Sequence, residues 1–208
     1  MAIRTVANQI QAGEISCGLA VGAESMTNHP KRDWKGDPDV LSLNQEAADC
    51  TQPMGWTSEN VAGDFKISRR AMDEAAARSH QRAADAQRKG KFDAEILPIN
   101  VPANAERDPS KRVYKVVSAD DGVRANSTAD ALGKIRSAFP QWAPSHTTGG
   151  NASQITDGAA AVLLMRRSLA KQLGKKIIGK YVSCAVSGLE PRIMGIVSCR
   201  VCTTSEPR

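Results

Sequence analysis

Aromatic residues are scarce in this 208-residue chain, at 4% of the sequence. The hydrophobic core must therefore consist mainly of Ala, Val, Ile and Leu side chains. Long apolar runs are also missing, since the longest, Gly158–Met165, is far too short to cross a bilayer as a helix. With 41% hydrophobic and 24% charged residues, the composition is that of a globular protein and excludes a disordered or collagen-like chain. We expect no membrane insertion.

Cysteine and histidine are few, and their spacing indicates neither a disulfide framework nor a metal site. The cysteines are odd in number, namely Cys17, Cys50, Cys184, Cys199 and Cys202. Only the last two have the C-x-x-C spacing, and without a second ligand pair a coincidence is favoured over a zinc or redox site. The histidines match no metal-binding motif and lie far apart, at His29, His80 and His146. Cys17 falls within an apolar segment and is interpreted as a small hydrophobic side chain.

The excess of basic residues is modest, at 28 Lys and Arg against 22 Asp and Glu, which gives a net charge of +6. This charge is compatible with an anionic or phosphate-bearing partner but does not identify one. Its densest part, Lys66–Lys91, has eight cations and three acids, which could form a footprint for nucleic acid or a membrane surface. Because no aromatic residues alternate with these cations, a solvated helix face is the favoured interpretation.

Helical spacing and capping residues predict several helices. One covers Ile3–Ile10 and ends at Gly13, and a longer one begins after Ser68 as N-cap and stops at Gly90. On the longer helix, small residues predict a narrow packing face made of Ala71, Ala75, Ser79, Ala83 and Ala86. Shorter helices are predicted at Thr57–Phe65, Ser127–Ile135 and Arg166–Leu173, whereas Asn28–Asp49 is predicted to cross the surface.

Apolar segments predict strands at Ile15–Val21, Phe92–Ile99, Arg112–Val117, Gly158–Met165 and Ile177–Val186. The first and fourth of these are apolar throughout, so we expect them to be buried. The resulting order is helix and strand, a long mixed insertion, then strand, helix and strand. This order is typical of an α/β protein.

Thr147–Ser153 is a small, polar segment with two adjacent glycines. Such a segment lets the backbone pass close to a ligand while it offers N–H and hydroxyl donors. It could equally be a tight loop that leads into the following strand. The residues by themselves leave both interpretations open.

Two stretches resemble signature sequences of thiolases. One is Thr148–Ala161, and the other is Pro53–Ala62, whose Pro-Met opening is similar to the peroxisomal 3-ketoacyl-CoA branch of the family. Shorter matches follow in the expected order at Gly13–Ile15, Gly22–Met26, Val123–Arg124 and Pro191–Ile196. The resemblance covers about Ala2 to Ile196, which is nearly the whole chain.

The resemblance implies a thiolase-like α/β fold with α-β-α-β-α layers, of which this chain would be an incomplete part. Residues 1–26 and 153–175 would belong to the N-terminal domain, 27–152 would be an inserted loop domain, and 176–208 would begin the C-terminal domain. From residue 197 the tail departs from the family, which continues with Gly-Pro. We therefore expect a frameshift, a retained intron or an early stop in the gene model at this end, and a missing N-terminal exon at the other, so that the chain is truncated at both ends.

Thiolases transfer acyl groups between acyl-CoA and acetyl-CoA in fatty-acid β-oxidation, with a cysteine nucleophile, a histidine, a second cysteine and oxyanion holes. The resemblance implies no cofactor, because CoA and acyl-CoA are substrates. It also implies a homodimer and a peroxisomal location, although a cytoplasmic location is the alternative if no targeting segment exists. The family's Cys-Ser-Ser-Gly, Asn-Glu-Ala-Phe, Gly-His-Pro and Cys-x-Gly motifs do not occur in this sequence. No catalytic residue is therefore assigned.

The resemblance does imply part of a CoA site. Arg124 is similar to the arginine beside the adenosine and phosphate end of CoA, where a cation suits the charge. Met54 and Phe139 resemble residues that wall the pantetheine channel, although core packing would explain them as well. Ser153 and Gly149 resemble the serine and glycine beside the pantetheine arm. Met194 resembles a methionine of the acyl pocket, and Ala131 replaces a serine found in some members of the family.

Three functions remain to be compared. The chain could be part of an acyltransferase, or a non-catalytic thiolase fragment with a residual CoA-binding surface. The third, a basic nucleic-acid-binding module centred on Lys66–Lys91, is the least favoured of the three.

Overall fold

The computed structural model describes residues 1–27, 36–104 and 108–197. His29, Cys199 and Cys202 lie outside these residues, as do the first part of the predicted surface segment and nearly all of the divergent tail. The described residues of the ranges 1–52 and 155–208 form one unit, and residues 53–154 form a second. Each unit has its own two-stranded antiparallel sheet.

The first unit begins with helix α1, Ala2–Ala12, which ends where Gly13 adopts a left-handed conformation with φ of 85°. The Gly13 N–H donates to the Ile10 carbonyl in the last turn of the helix. This is the predicted glycine C-cap, and only a residue without Cβ adopts such a φ at little cost. Strand β1, Cys17–Glu24, follows directly and pairs with β4, Gly158–Met165, along its whole length.

Helix α1 packs on one face of the β1–β4 sheet. Gly18 allows this close approach, because a Cβ atom there would lie 2.6 Å from Cγ1 of Val6. Ala20 is buried in β1, whereas Leu19 and Val21 are 56% and 55% exposed. The full burial predicted for both strands is therefore wrong. The described residues provide a cover for only one face of the sheet, and alternate side chains point to the other face.

Two further corrections concern the first unit. Cys17 is exposed and not a buried apolar side chain. Ile177–Val186 forms no strand, because no described strand pairs with it, and residues 175–181 instead line a cavity of about 1020 Å³ with α1, β4 and α7. The predicted surface segment contains two short helices, α2 at Pro38–Leu43 and α3 at Gln45–Asp49. Helix α7, Arg167–Gln172, and a 3-10 helix, Pro191–Ile196, complete the unit.

The second unit is built around α4, Met54–Asp64, and α5, Arg69–Arg88. As predicted, the Ser68 side chain caps α5 by accepting from the Ala71 N–H, and Gly90 follows the helix with a positive φ. A short helix α6, Ala129–Gly133, packs against α5. The sheet of this unit pairs β2, Ile99–Pro102, with β3, Tyr114–Val117, and a 3-10 helix at Pro109–Lys111 precedes β3.

Two expectations about the second unit are wrong. Residues 91–95 form turns, so the predicted strand Phe92–Ile99 is displaced to β2. The buried positions of α5 are Asp73, Ala77 and Ala84, whereas Ala71, Ala75 and Ser79 of the predicted packing face are exposed. Small side chains occur on several faces of α5, so the spacing of alanines does not identify the buried face. The buried face is the one that contains the Asp73 carboxylate.

The close approach at Gly18 generates a stability prediction. We expect Gly18→Ala to lower the free energy of unfolding by about 1–3 kcal/mol, because the added methyl group overlaps Val6 and the helix must shift. Gly22→Ala in the same strand is the matched control, since a Cβ atom there meets nothing within 4 Å. Urea unfolding of both variants measures the difference, and equal effects would contradict this account of α1 packing.

Candidate functional site

The segment with two adjacent glycines forms a turn whose polar groups are satisfied internally. Thr148 is completely buried, and its Oγ1 accepts hydrogen bonds from the N–H groups of Gly150, at 3.1 Å, and Asn151, at 3.2 Å. In return, Oδ1 of Asn151 accepts from the Thr148 N–H at 2.8 Å. These reciprocal bonds close the turn and fix the direction of the backbone between Thr148 and Asn151.

A buried carboxylate of α4 holds the residues before the turn. Glu59 is only 1% exposed, and it accepts from the N–H groups of His146 at 2.8 Å and Thr147 at 2.7 Å. Burial raises the pKa of the Glu59 carboxyl, but hydrogen bonds from the Thr147 side chain and the backbone N–H groups of residues 145–147 outweigh it. The pKa of Glu59 therefore lies below its ordinary value, and the group is a charged acceptor at neutral pH.

A second buried carboxylate, on α5, holds the turn from another side. Asp73 is 1% exposed, and its two oxygens accept from Nε of Arg69 at 2.8 Å and from Nδ2 of Asn151 at 3.0 Å. The guanidinium of Arg69 also donates to the carbonyls of Leu132 and Ile135, each at 2.8 Å. The Arg69–Asp73 ion pair thus connects α6 to the turn. Arg69 binds carbonyls at the end of α6, which need donors, and Asp73 binds Asn151 of the turn.

The outward-facing groups of the turn are available to a ligand. Gly149 is exposed, and a Cβ atom there would meet nothing within 4 Å. Within the described part of the chain, neither the Gly149 N–H nor the hydroxyl of exposed Ser153 donates to a protein acceptor. Together they are two unused donors on an otherwise closed turn, which suits a ligand that carries carbonyl oxygens.

The segment with Arg124 lies along α5 and is held by side chains of that helix. Nδ1 of His80 accepts from the Arg124 N–H at 3.2 Å, so this nitrogen carries no proton. Gln81 and Gln87 donate to the carbonyls of Ser127 and Asp120, at 3.0 and 2.9 Å. The Arg124 side chain is exposed and contacts only nearby backbone carbonyls, so its charge faces solvent.

The segments with Arg124 and Ser153 are joined directly. Nε2 of Gln154 donates to the Gly122 carbonyl at 3.1 Å, and a side chain at position 122 would overlap this amide. Gln154 follows Ser153, and Gly122 precedes Arg124 by two residues. The structure thus brings the two predicted contacts into one neighbourhood of the second unit.

The remaining predicted residues are in different settings. Phe139 is half-buried, stacks on Trp142 with a centroid distance of 5.2 Å, and lies against Gly55 of α4. Met54 is 69% exposed at the start of α4, so core packing does not explain it. Met194 is 43% exposed in the 3-10 helix of the first unit and is described only within that unit.

Half of the cations in Lys66–Lys91 are paired with acids. Arg70 pairs with Glu74 and Asp130, each at 2.9 Å. Near the helix end, Asp85 receives Arg88 at 3.1 Å and Lys89 at 2.7 Å. With Arg69, four of the eight cations in Lys66–Lys91 are thus paired. No group of three His, Cys, Asp or Glu side chains that could hold a metal ion occurs among the described residues.

The comparisons with known proteins decide the family. Residues 1–168 match the family described as Thiolase, N-terminal domain. The chain belongs to the thiolase family. The peroxisomal 3-ketoacyl-CoA thiolase of Yarrowia lipolytica is 47% identical over 197 residues, and 3-ketoacyl-CoA thiolase B of Candida tropicalis, also peroxisomal, is 49% identical over 200 residues. Both alignments cover 94% of this chain but only 47% of the relative. The chain thus spans about half the length of these relatives.

Solved structures confirm the thiolase fold. The dimeric peroxisomal thiolase of Saccharomyces cerevisiae superposes with a TM-score of 0.82 at 44% identity, over 94% of this chain and 48% of that one. An acetyl-CoA acetyltransferase from Bacillus anthracis gives a TM-score of 0.76 at 31% identity, over 98% of this chain and 52% of that one. The predicted α/β class and the resemblance to thiolases are confirmed. The CoA contacts of the six named residues stay predictions.

The residues that organise this thiolase turn were not singled out from the sequence. Glu59 lies within a signature stretch, Asp73 is one of three acids in the basic segment Lys66–Lys91, and Asn151 lies within the segment with two adjacent glycines. The available signal was an acid four residues after Arg69 on a helix with a small apolar face. Such a pair is common on exposed helices, so its burial could not be deduced from spacing.

We expect Glu59→Gln to lower the free energy of unfolding by about 1–3 kcal/mol at neutral pH, because an amide cannot accept from both backbone N–H groups. Since the folded state lowers the pKa of Glu59, its contribution is complete above the unfolded pKa and is lost as the pH falls through the folded value. Urea unfolding should therefore show the difference from wild type shrinking on acidification. Exposed Glu95→Gln is the control, and a difference that does not depend on pH would contradict this account.

Proposed function

We propose that this chain supplies the CoA-binding turn of a 3-ketoacyl-CoA thiolase, and that the whole protein transfers acyl groups between acyl-CoA and CoA. The observation that carries this proposal is the closed turn Thr148–Asn151, which presents unused donors at Gly149 and Ser153. Identity of 47–49% to peroxisomal 3-ketoacyl-CoA thiolases supports the same reaction.

Each named residue has a physical task in this proposal. The Gly149 N–H and the Ser153 hydroxyl donate to the amide carbonyls of the pantetheine arm, and the direction of the Gly149 N–H is set before binding, which reduces the entropy cost of association. The exposed guanidinium of Arg124 attracts the phosphates at the adenosine end. Met54 and Phe139 provide apolar surface for the arm. Met194 belongs to the acyl pocket of the whole protein.

The relatives also support an assembly and a location. The Saccharomyces cerevisiae neighbour is a dimeric peroxisomal thiolase, and the Yarrowia lipolytica and Candida tropicalis relatives are named as peroxisomal. We infer a homodimer in the peroxisome for the whole protein. No described helix has the length and apolar character needed to cross a membrane.

Nucleic-acid binding is the weaker candidate. A phosphate backbone is recognised by cations that are free to replace counterions. On α5, Arg69, Arg70, Arg88 and Lys89 already neutralise acids of the same unit. The observations favour the CoA function over this one.

CoA binding tests the proposal on the chain itself. Isothermal titration with free CoA should give measurable binding that weakens by about tenfold in Arg124→Ala, the loss expected for one charge-assisted contact. Arg82→Ala is the matched control. His80 binds the Arg124 segment, and residue 82 lies about 200° around α5 from His80, on a different side of the helix. Absence of CoA binding by the wild type, or equal losses in the two variants, would contradict the proposal.

Thiolysis should not occur in this polypeptide alone, because its sequence contains none of the four catalytic motifs of the family. We expect no CoA-dependent cleavage of acetoacetyl-CoA above the enzyme-free rate. The measurement is the loss of absorbance of the enolate. Turnover that is lost in Cys17→Ser or Cys184→Ser would refute the expectation. Both thiols are exposed, and such a loss would identify one of them as a displaced nucleophile.

A further inference from the structure

The two buried carboxylates of the second unit have different partners. Glu59 accepts from the backbone N–H groups of His146 and Thr147 and from the Thr147 side chain, so it holds the residues before the turn. Asp73 accepts from a side-chain amide of the turn itself, at Asn151. The Asp73–Asn151 contact is therefore the one through which α5 acts on the turn.

A carboxylate determines which way an amide side chain is oriented. Because ionised Asp73 only accepts, it selects the Asn151 orientation in which Nδ2 faces α5. Nδ2 also donates to the His146 carbonyl at 3.1 Å, which favours the same orientation. The opposite atom, Oδ1, is then directed at the Thr148 N–H. Reversing the amide would place two donors against each other at Thr148.

The exposed part of the turn is held through its neighbours in the chain, since the N–H groups of Asn151 and Ala152 also donate to the Thr148 carbonyl, at 3.3 and 3.1 Å. Nothing lies within 4 Å of a Cβ position at Gly149, and its backbone direction depends on the bonds between Thr148 and Asn151 on either side. The Arg69–Asp73 pair is itself fixed by the two α6 carbonyls that Arg69 binds. A chain of contacts thus runs from α6 through Arg69, Asp73 and Asn151 to the turn that contains Gly149.

We propose that Asp73 is a positioning residue for CoA, which acts through Asn151 to hold the Gly149 N–H in its binding direction. This inference rests on the proposed function, since it assigns to Asp73 the geometry of the same site. Asp73 touches no ligand in this account. Asp73 affects the affinity of the folded protein for CoA and not only the free energy of unfolding.

The test is the CoA affinity of Asp73→Asn, measured at a temperature where urea unfolding shows the variant to be folded. An amide at position 73 turns a donor toward Arg69 or Asn151, so we expect the dissociation constant for CoA to rise about tenfold. Asp85→Asn on the same helix is the control, because Asp85 is 43% exposed and pairs only with Arg88 and Lys89. Its affinity for CoA should match the wild type.

A charge exchange separates positioning from a purely structural role. In the double variant Asp73→Asn with Asn151→Asp, an amide donor and a carboxylate acceptor again face each other and the Thr148 N–H keeps an acceptor, but the bond to the His146 carbonyl is lost. We therefore expect its dissociation constant for CoA to lie below that of Asp73→Asn and above that of the wild type. If Asp73→Asn does not fold, Asn151→Ala tests the same link with the Arg69–Asp73 pair intact, and it should weaken CoA binding to a similar extent.

The outcomes distinguish the inference from the proposed function. Unchanged CoA affinity in folded Asp73→Asn, or in Asn151→Ala, with normal binding by the wild type overturns only the positioning role. Absence of CoA binding by the wild type overturns both. Faster amide hydrogen exchange at Gly150 and Asn151 in Asp73→Asn, but not in Asp85→Asn, together with the lower affinity, supports the positioning role.

Discussion

The second unit depends on the hydrogen bonds that two buried carboxylates, Glu59 and Asp73, accept from residues 146–151. A polar, glycine-containing segment gains little from apolar burial. If its inward N–H groups had no acceptors, their burial would cost free energy of folding. The carboxylates supply acceptors at the required places, and each is itself supported by a helix. As a result the Gly149 N–H on the outer side of the turn is not needed to hold the turn together, which leaves it available to a ligand.

The first unit shows the opposite situation, where apolar burial is incomplete. Helix α1 covers one face of the β1–β4 sheet and approaches it closely at Gly18. On the other face, Leu19 lies opposite Leu163 and both are more than half exposed. Local spacing locates these strands along the chain, while their pairing and burial depend on what else is packed against them. The yeast thiolase neighbour, of which this chain matches 48%, indicates how much larger the whole fold is.

Prediction from sequence succeeded where the cause was local. The glycine C-cap of α1, the Ser68 cap of α5 and the bounds of β4 follow from side chains next to the element in sequence. It failed where the cause was remote. Burial of β1, pairing of residues 177–186 and the packing face of α5 depend on contacts distant in the chain, and α5 in particular is oriented by Asp73 bonding to Asn151, 78 residues away.

The candidate site could likewise be predicted only in part, because some of its contacts are remote in sequence. The family signature located the turn and its outward residues, but the residues that hold them are polar side chains on helices, whose ordinary location is the surface. Helix α5 illustrates this point, because His80, Gln81 and Gln87 bind the Arg124 segment while Asp73 binds the Ser153 turn. Gln154 then joins the two segments at Gly122. A displacement of α5 would therefore move both segments together, so the spacing between the proposed phosphate-binding and amide-binding ends of the candidate site depends on one helix.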